Sequence, residues 1–181
     1  MSSPISGSSF VFDNVYIQSV ATTAGIVEYQ GPLGHYFDKH YPDHYHHNVS
    51  YEQAEIEMLK DALLICLKNG KVKKEEIDFY FGGDLNNQLT ACYYYANHLH
   101  RPFIGLYSAC STIGLALANA SIMIENHNIH KAIACTVSHN ATAERQFRYP
   151  LEYGIQRKET MTFTATGSVA VYLSNKPSSI R

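Results

Sequence analysis

Three stretches of this chain pair chemically capable residues with the end of an apolar run. The first is Ser108-Ala109-Cys110-Ser111-Thr112, a thiol among hydroxyls. Strand-like Phe103 to Tyr107 precedes it, and the apolar, helix-like run Thr112 to Glu125 follows. A thiol at a helix start meets unpaired N–H groups and the positive end of the helix dipole, which favour the nucleophilic thiolate. The second stretch is Gly82-Gly83-Asp84-Leu85-Asn86-Asn87-Gln88, where paired glycines permit a tight turn into an acid and amides. The third is Ser138-His139-Asn140-Ala141-Thr142, whose histidine suits a base, a proton donor or a ligand contact. A Cys–His pair supports nucleophilic catalysis only when the two touch. The next segment carries Arg145 and Arg148. Either can grip a carboxylate bidentately or pair internally with Glu144 or Glu152.

Other residues invite less. Cys66, Cys92 and Cys135 read as small core residues, since free cysteine is among the most buried types. No GK[ST] or spaced GxGxxG is present, so there is no phosphate loop. His35, His40, His44, His46 and His47, with Asp38 and Asp43, match no regular ligand spacing and read as a solvated loop. No cofactor and no metal site is expected.

The elements that must position these residues alternate in type. Phe10 to Ser19 reads as a strand and Ala21 to Ser50 as a long loop. Ser50 caps a helix with Ala54, Met58, Leu59, Ala62, Leu63 and Cys66 on one face, and Asn69-Gly70 ends it. Ile77 to Phe81 is a short strand stopped by Gly82-Gly83. Leu89 to His98 is a helix with Asn86 or Asn87 as cap. After strand Phe103 to Tyr107 comes a helix, apolar on nearly all sides, over 112–125. Ala132 to Val137 is a strand, Ala143 to Glu159 a polar loop, and Thr160 to Leu173 mostly strand with a break at Gly167. Such alternation predicts an α/β domain, a mostly parallel mixed sheet flanked by helices. Ligands then bind beyond the carboxyl ends of the strands. All three chemical stretches fall there.

Composition narrows the classes. The chain has 181 residues, 45% hydrophobic and 17% charged, against about 25% charged in a usual soluble domain. Fourteen tyrosines and eight phenylalanines without tryptophan suit a surface that expects a partner. A net charge of −2 gives no electrostatic case for nucleic acid. Four cysteines without a CxxC pair argue for a reducing compartment. Met1 to Ser9 is expected to be disordered and has neither the basic nor the apolar region of a secretory signal. No run is long enough to span a membrane, so any membrane association is expected to be peripheral. The domain is expected over 10–174 with a polar tail at 175–181.

Four motifs carry a resemblance: Gly31-Pro32-Leu33-Gly34-His35-Tyr36-Phe37-Asp38, Gly83-Asp84-Leu85-Asn86-Asn87-Gln88, Ala109-Cys110-Ser111-Thr112, and the run from Ser138 to Pro150. Together they resemble the stage V sporulation protein AD family, from about Phe10 to Leu173. The resemblance implies a thiolase-like fold, related to β-ketoacyl carrier-protein synthases. It implies a membrane-associated assembly that moves dipicolinic acid into the spore, and binding of dipicolinate or its calcium complex. Two departures stand out. The chain is about half the family length, so the expected nucleophile position, Cys110, lacks the partners that the second half supplies. Ile155 replaces a usual glycine, and Lys158-Glu159 replaces a Pro-containing turn.

The reading is therefore a non-catalytic dipicolinate-binding thiolase-like N-terminal half-domain. Its candidate contacts are Cys110, Ser111, Thr112, Asp84, Asn86, His139, Asn140 and Arg145. Its implied partners are other subunits of the assembly and either a second copy or a missing C-terminal half. Its implied place is the cytoplasmic side of the forespore or spore inner membrane. Two alternatives stay open: a thiolase-like acyltransferase or condensing enzyme using a Cys110 thioester, and a structural remnant that scaffolds a partner.

Overall fold

The computed structural model describes residues 4–6, 9–147 and 164–180. Strands β1 (Pro4–Ser6) and β2 (Ser9–Phe10) pair antiparallel as a small ribbon. The main sheet contains β3 (Tyr16–Ala24), β4 (Lys39–His40), β5 (Phe79–Asp84), β6 (Phe103–Gly105), β7 (Lys131–Ser138) and β8 (Gly167–Ser174). Their order is β4-β3-β8-β7-β5-β6. Pairings β3/β4, β5/β6 and β5/β7 are parallel, while β8 runs antiparallel to both β3 and β7. The expected mixed, mainly parallel sheet is thus present, with β8 as the reversed strand.

Among the described residues, helices α1 (Ile26–Tyr29), α2 (Tyr51–Asn69), α3 (Thr90–Leu99), α4 (Thr112–Glu125) and α5 (Asn140–Phe147) flank or cap it. In α2 the Ser50 hydroxyl accepts from the Gln53 N–H at 3.2 Å, filling one of the unpaired donors of the first turn. Its stripe Ala54, Met58, Leu59, Ala62, Leu63 and Cys66 is fully buried, as the spacing predicts. With α3 it covers one side of the sheet, packing on Tyr80, Ile133, Cys135, Ala170 and Tyr172. Helix α4 covers the other side, where Ala116, Ala120 and Ile124 meet Phe81, Ala132, Ala134 and Val171. Burying each large side chain contributes about 1.5–3 kcal/mol.

Several boundaries differ from the sequence reading. The first long strand lies at Tyr16–Ala24, and the expected loop from Ala21 to Ser50 holds the end of β3, α1, a 3₁₀ turn at Gly34–Tyr36 and β4. The glycine pair does not stop β5 but lies inside it. A Cβ at Gly82 would meet Cys135 Sγ at 2.6 Å, and one at Gly83 would meet the Leu106 carbonyl oxygen at 1.9 Å. These glycines serve close approach of neighbouring backbone rather than a turn. The expected loop after Ala143 begins as α5. Arg148, Ile155, Lys158 and Glu159 lie outside the described residues.

Candidate functional site

Strands β5, β6 and β7 are mutually parallel, so their carboxyl ends share one edge of the sheet. Alternation within each strand then sorts side chains between the two sides. On β5, Asp84 has the parity of Tyr80 and falls on the α2–α3 side. On β7, Thr136 and Ser138 have the parity of Ala134 and fall on the α4 side.

The α4 side opens into a hollow of about 570 Å³ at the carboxyl edge. Cys110 and Ala109 line it, with Ile113 from α4, Leu85 beyond β5, and Thr136 and Ser138 from β7. Thr22, Phe37, Thr164 and Ser168 complete much of the wall. Apart from the Cys110 thiol, this lining has no titratable side chain among the described residues. Cys110 is exposed and free. It sits in a 3₁₀ turn, Ala109–Ser111, one step before α4 rather than in its first turn. Ala109 takes φ 45°, a left-handed conformation unusual for a residue with a Cβ. Ser111 donates to the Ser108 carbonyl at 2.8 Å, and buried Thr112 donates to the Ala109 carbonyl at 2.8 Å. Both hydroxyls fix the turn that presents the thiol.

The wall is pinned from behind. Ser138 Oγ donates to the Ala165 carbonyl at 2.6 Å, and Asn140 Nδ2 donates to the Thr164 carbonyl at 2.8 Å. The Thr164 N–H donates to Glu144 at 2.9 Å and the Thr166 N–H to Glu28 at 3.0 Å. Asn140 is therefore a positioning residue for the hollow rather than part of its lining.

The remaining candidates lie on the α2–α3 side. Asp84 is fully buried, and its Oδ2 accepts from the Ala91 and Cys92 N–H groups at 2.6 and 3.3 Å. It, and not Asn86 or Asn87, caps α3. Burial pushes its carboxyl up to about 6, against the pull of those N–H groups. Asn86 is buried with its Oδ1 unpartnered among the described residues. His139 is buried. Its Nδ1 accepts from the Ala141 N–H at 3.1 Å, and its Nε2 lies 2.8 Å from the His44 carbonyl, so Nε2 holds the proton. Burial lowers its pKa. Both ring nitrogens are engaged, which removes it as an immediate base for Cys110. Arg145 is exposed, 3.1 Å from Glu52 and over the Tyr51 ring. An ion partner among the described residues, Glu52, is on α2; Glu152 lies outside them.

The sealed side also holds Glu55, whose Oε2 accepts from the Thr142 hydroxyl at 2.9 Å. Burial, then the nearby Asp84 charge, pushes Glu55 up to about 8. His46 is buried against the Tyr41 ring, and burial pushes it down to about 4. The histidine-rich segment is thus partly core, and Asp43 folds it by accepting from the Tyr45 and His46 N–H groups at 2.7 and 2.8 Å. Among the described residues no group of three His, Cys, Asp or Glu is placed to hold a metal ion. No helix there is long and apolar enough to cross a membrane.

The sequence reading missed Thr22, Phe37, Thr136, Ser168 and Val169 as lining. Strand alternation was the available signal for Thr136. The contributions of β3 and β8 needed the sheet order.

Similarity to known proteins agrees with this fold. The fold resembles 3-oxoacyl-[acyl-carrier-protein] synthase III from Aquifex aeolicus VF5, with TM-score 0.59 and 15% identity over 88% of this chain and 53% of that one. It also resembles a fungal type III polyketide synthase, with TM-score 0.62 and 11% identity over 90% of this chain and 56% of that one. These likenesses establish a thiolase-like half-domain. A stage V sporulation protein AD of Bacillus subtilis (strain 168) is 42% identical over 174 residues, 96% of this chain and 52% of that protein. The chain thus spans about half the length of the curated relative it matches. Residues 7–181 match the family described as stage V sporulation protein AD (SpoVAD), and the chain belongs to that family.

Proposed function

We propose that this chain is a non-catalytic ligand-binding unit of sporulation that takes calcium-complexed dipicolinate in the hollow beside Cys110. The family membership supports the sporulation role. The observation that carries the ligand reading is the lining: hydroxyls, backbone and one thiol, without a carboxylate, ammonium, guanidinium or imidazole among the described residues. Free dipicolinate is a dianion, and burying unpaired charge against such a wall is costly. Its one-to-one calcium complex is neutral and brings its own cation. The hydroxyls of Thr22, Thr136, Ser138 and Ser168 donate to Asp38 and to backbone carbonyls, so what they offer the complex is oxygen lone pairs, which suit its calcium ion.

Acyl transfer through Cys110 needs a base within reach of the thiol; His139 is committed elsewhere, so that base would have to come from a second half-domain.

The outward face of α4 supports a partner. Thr112 to Ile124 holds no charged residue, and Leu115 and Ile122 on it are 37% and 42% exposed. We read this face as the seat of a second half-domain, in the simplest case a second copy, within an assembly at the cytoplasmic side of the spore inner membrane.

Calorimetry tests the ligand reading. Calcium with dipicolinate is expected to give saturable heat that Cys110→Trp, which fills the hollow, abolishes in a folded sample. A folded parent chain that gives no heat overturns it.

A further inference from the structure

A second hollow, of about 580 Å³, lies between α2 and α3, on the side of the sheet away from Cys110. Its size is within the usual range of ligand sites, about 300–1,000 Å³. Its chemistry is opposite to that of the first. Lys60 and Lys74 line it, both exposed, and neither has an ion-pair partner among the described residues. Glu57 also lines it, with its Oε2 accepting from Asn48 Nδ2 at 2.6 Å. Two ammonium groups against one carboxylate leave a net positive charge, His98 aside, in a chain whose net charge is −2. The apolar part comes from Ile56, Leu99 and the Tyr95 ring. Tyr95 is 8% exposed, and its hydroxyl donates to nothing among the described residues. Burial pushes that phenol up to about 12, so it stays a donor at ordinary pH.

We propose that this hollow is a separate binding site for a small organic anion, an apolar or aromatic body carrying a carboxylate. The body lies against Tyr95, Ile56 and Leu99. The carboxylate meets Lys60 and Lys74, which act as point charges on flexible stems rather than as a rigid fork. A neutral analogue of the same shape gains only the apolar contact. Because both lysines are exposed, salt screens the attraction. The proposal does not depend on what occupies the Cys110 hollow.

The test titrates the whole chain with sodium benzoate, and in parallel with neutral benzamide, while amide NMR shifts are followed. Benzoate is expected to move amides of Ile56 to Leu64 and Tyr95 to Leu99, with benzamide much weaker. Lys60→Gln and Lys74→Gln, both at exposed positions, are each expected to weaken benzoate about threefold, and the double variant about tenfold. Cys110→Trp is expected to leave it unchanged. The proposal is overturned by equal binding of benzamide, by an unaffected double variant, by shifts confined to the Cys110 hollow, or by none up to about 10 mM benzoate.

Discussion

On the α2–α3 side of the sheet, Glu55, Asp84, His139 and Thr142 are buried beneath helices and bonded mostly to backbone or to each other. On the α4 side, the Cys110 hollow is open and its polar groups are mostly hydroxyls. The residues best suited by type to acid–base chemistry thus stand where they hold the fold. The ligand-sized space beside Cys110 is lined by residues with little catalytic reach. Residue type and available space thus rank these two regions in opposite orders. Strand parity is the physical reason, because it decides which side each residue joins.

The sharpest way to break this contrast is to cut into each side. Leu63→Ala, at a fully buried position of α2, is expected to cost about 2–5 kcal/mol in urea unfolding. Leu115→Ala, on the outward face of α4, is expected to change stability by less than about 0.5 kcal/mol. Equal losses would show that the two sides are equally packed. Asp84→Ala comes next. It strips two N–H groups of α3 of their acceptor inside the protein, at an expected cost of about 2–3 kcal/mol. A fall in calcium–dipicolinate affinity without any loss of stability would instead place Asp84 with the ligand.

The sealed side should also reveal itself through pH. Burial raises the folded Glu55 pKa to about 8, above its ordinary 4.5. The folded state therefore binds this proton more tightly than the unfolded chain does. Its contribution is full below about pH 4.5 and is lost as pH rises through about 8. Glu55→Gln keeps an acceptor for Thr142 and removes the titration. Relative to the parent it is expected to gain up to about 4–5 kcal/mol near pH 8.5 and nothing near pH 4, in paired denaturation curves. A difference that stays constant across this range would mean that Glu55 does not titrate with folding.

How far the sequence carried depends on the range of the forces involved. The α2 cap and stripe, the span of α4 and the strand–helix alternation were legible, because caps and periodicity are local. Cys110 was legible as a strand–helix junction, and it does line the hollow. Asp84 and His139 were legible as polar residues at strand ends. Their partners, the α3 N–H groups and the His44 carbonyl, lie on segments that the sequence does not align with them. The segment from Ala21 to Ser50 read as loop because its elements are short. Its order comes from tertiary contacts such as Lys39 with Asp61 at 2.5 Å and His46 against Tyr41.

The smallest effect on folding, and the finest discriminator of the two sides, concerns Ile122. An exposed helix that faces only water ordinarily carries charge, yet Thr112 to Ile124 has none. A twofold pairing places such a face against itself without like-charge repulsion, and burial of Leu115 and Ile122 supplies the driving force. Ile122→Glu is expected to leave the melting temperature of the single domain nearly unchanged, since that side chain is 42% exposed. It should nonetheless convert a self-associating species into a monomer in sedimentation velocity, because the pairing would bury two carboxylates face to face. A parent chain that sediments as a monomer at every concentration would refute pairing through a second copy. An Ile122→Glu chain that still self-associates would move the contact away from α4 and leave the openness of this side without a partner.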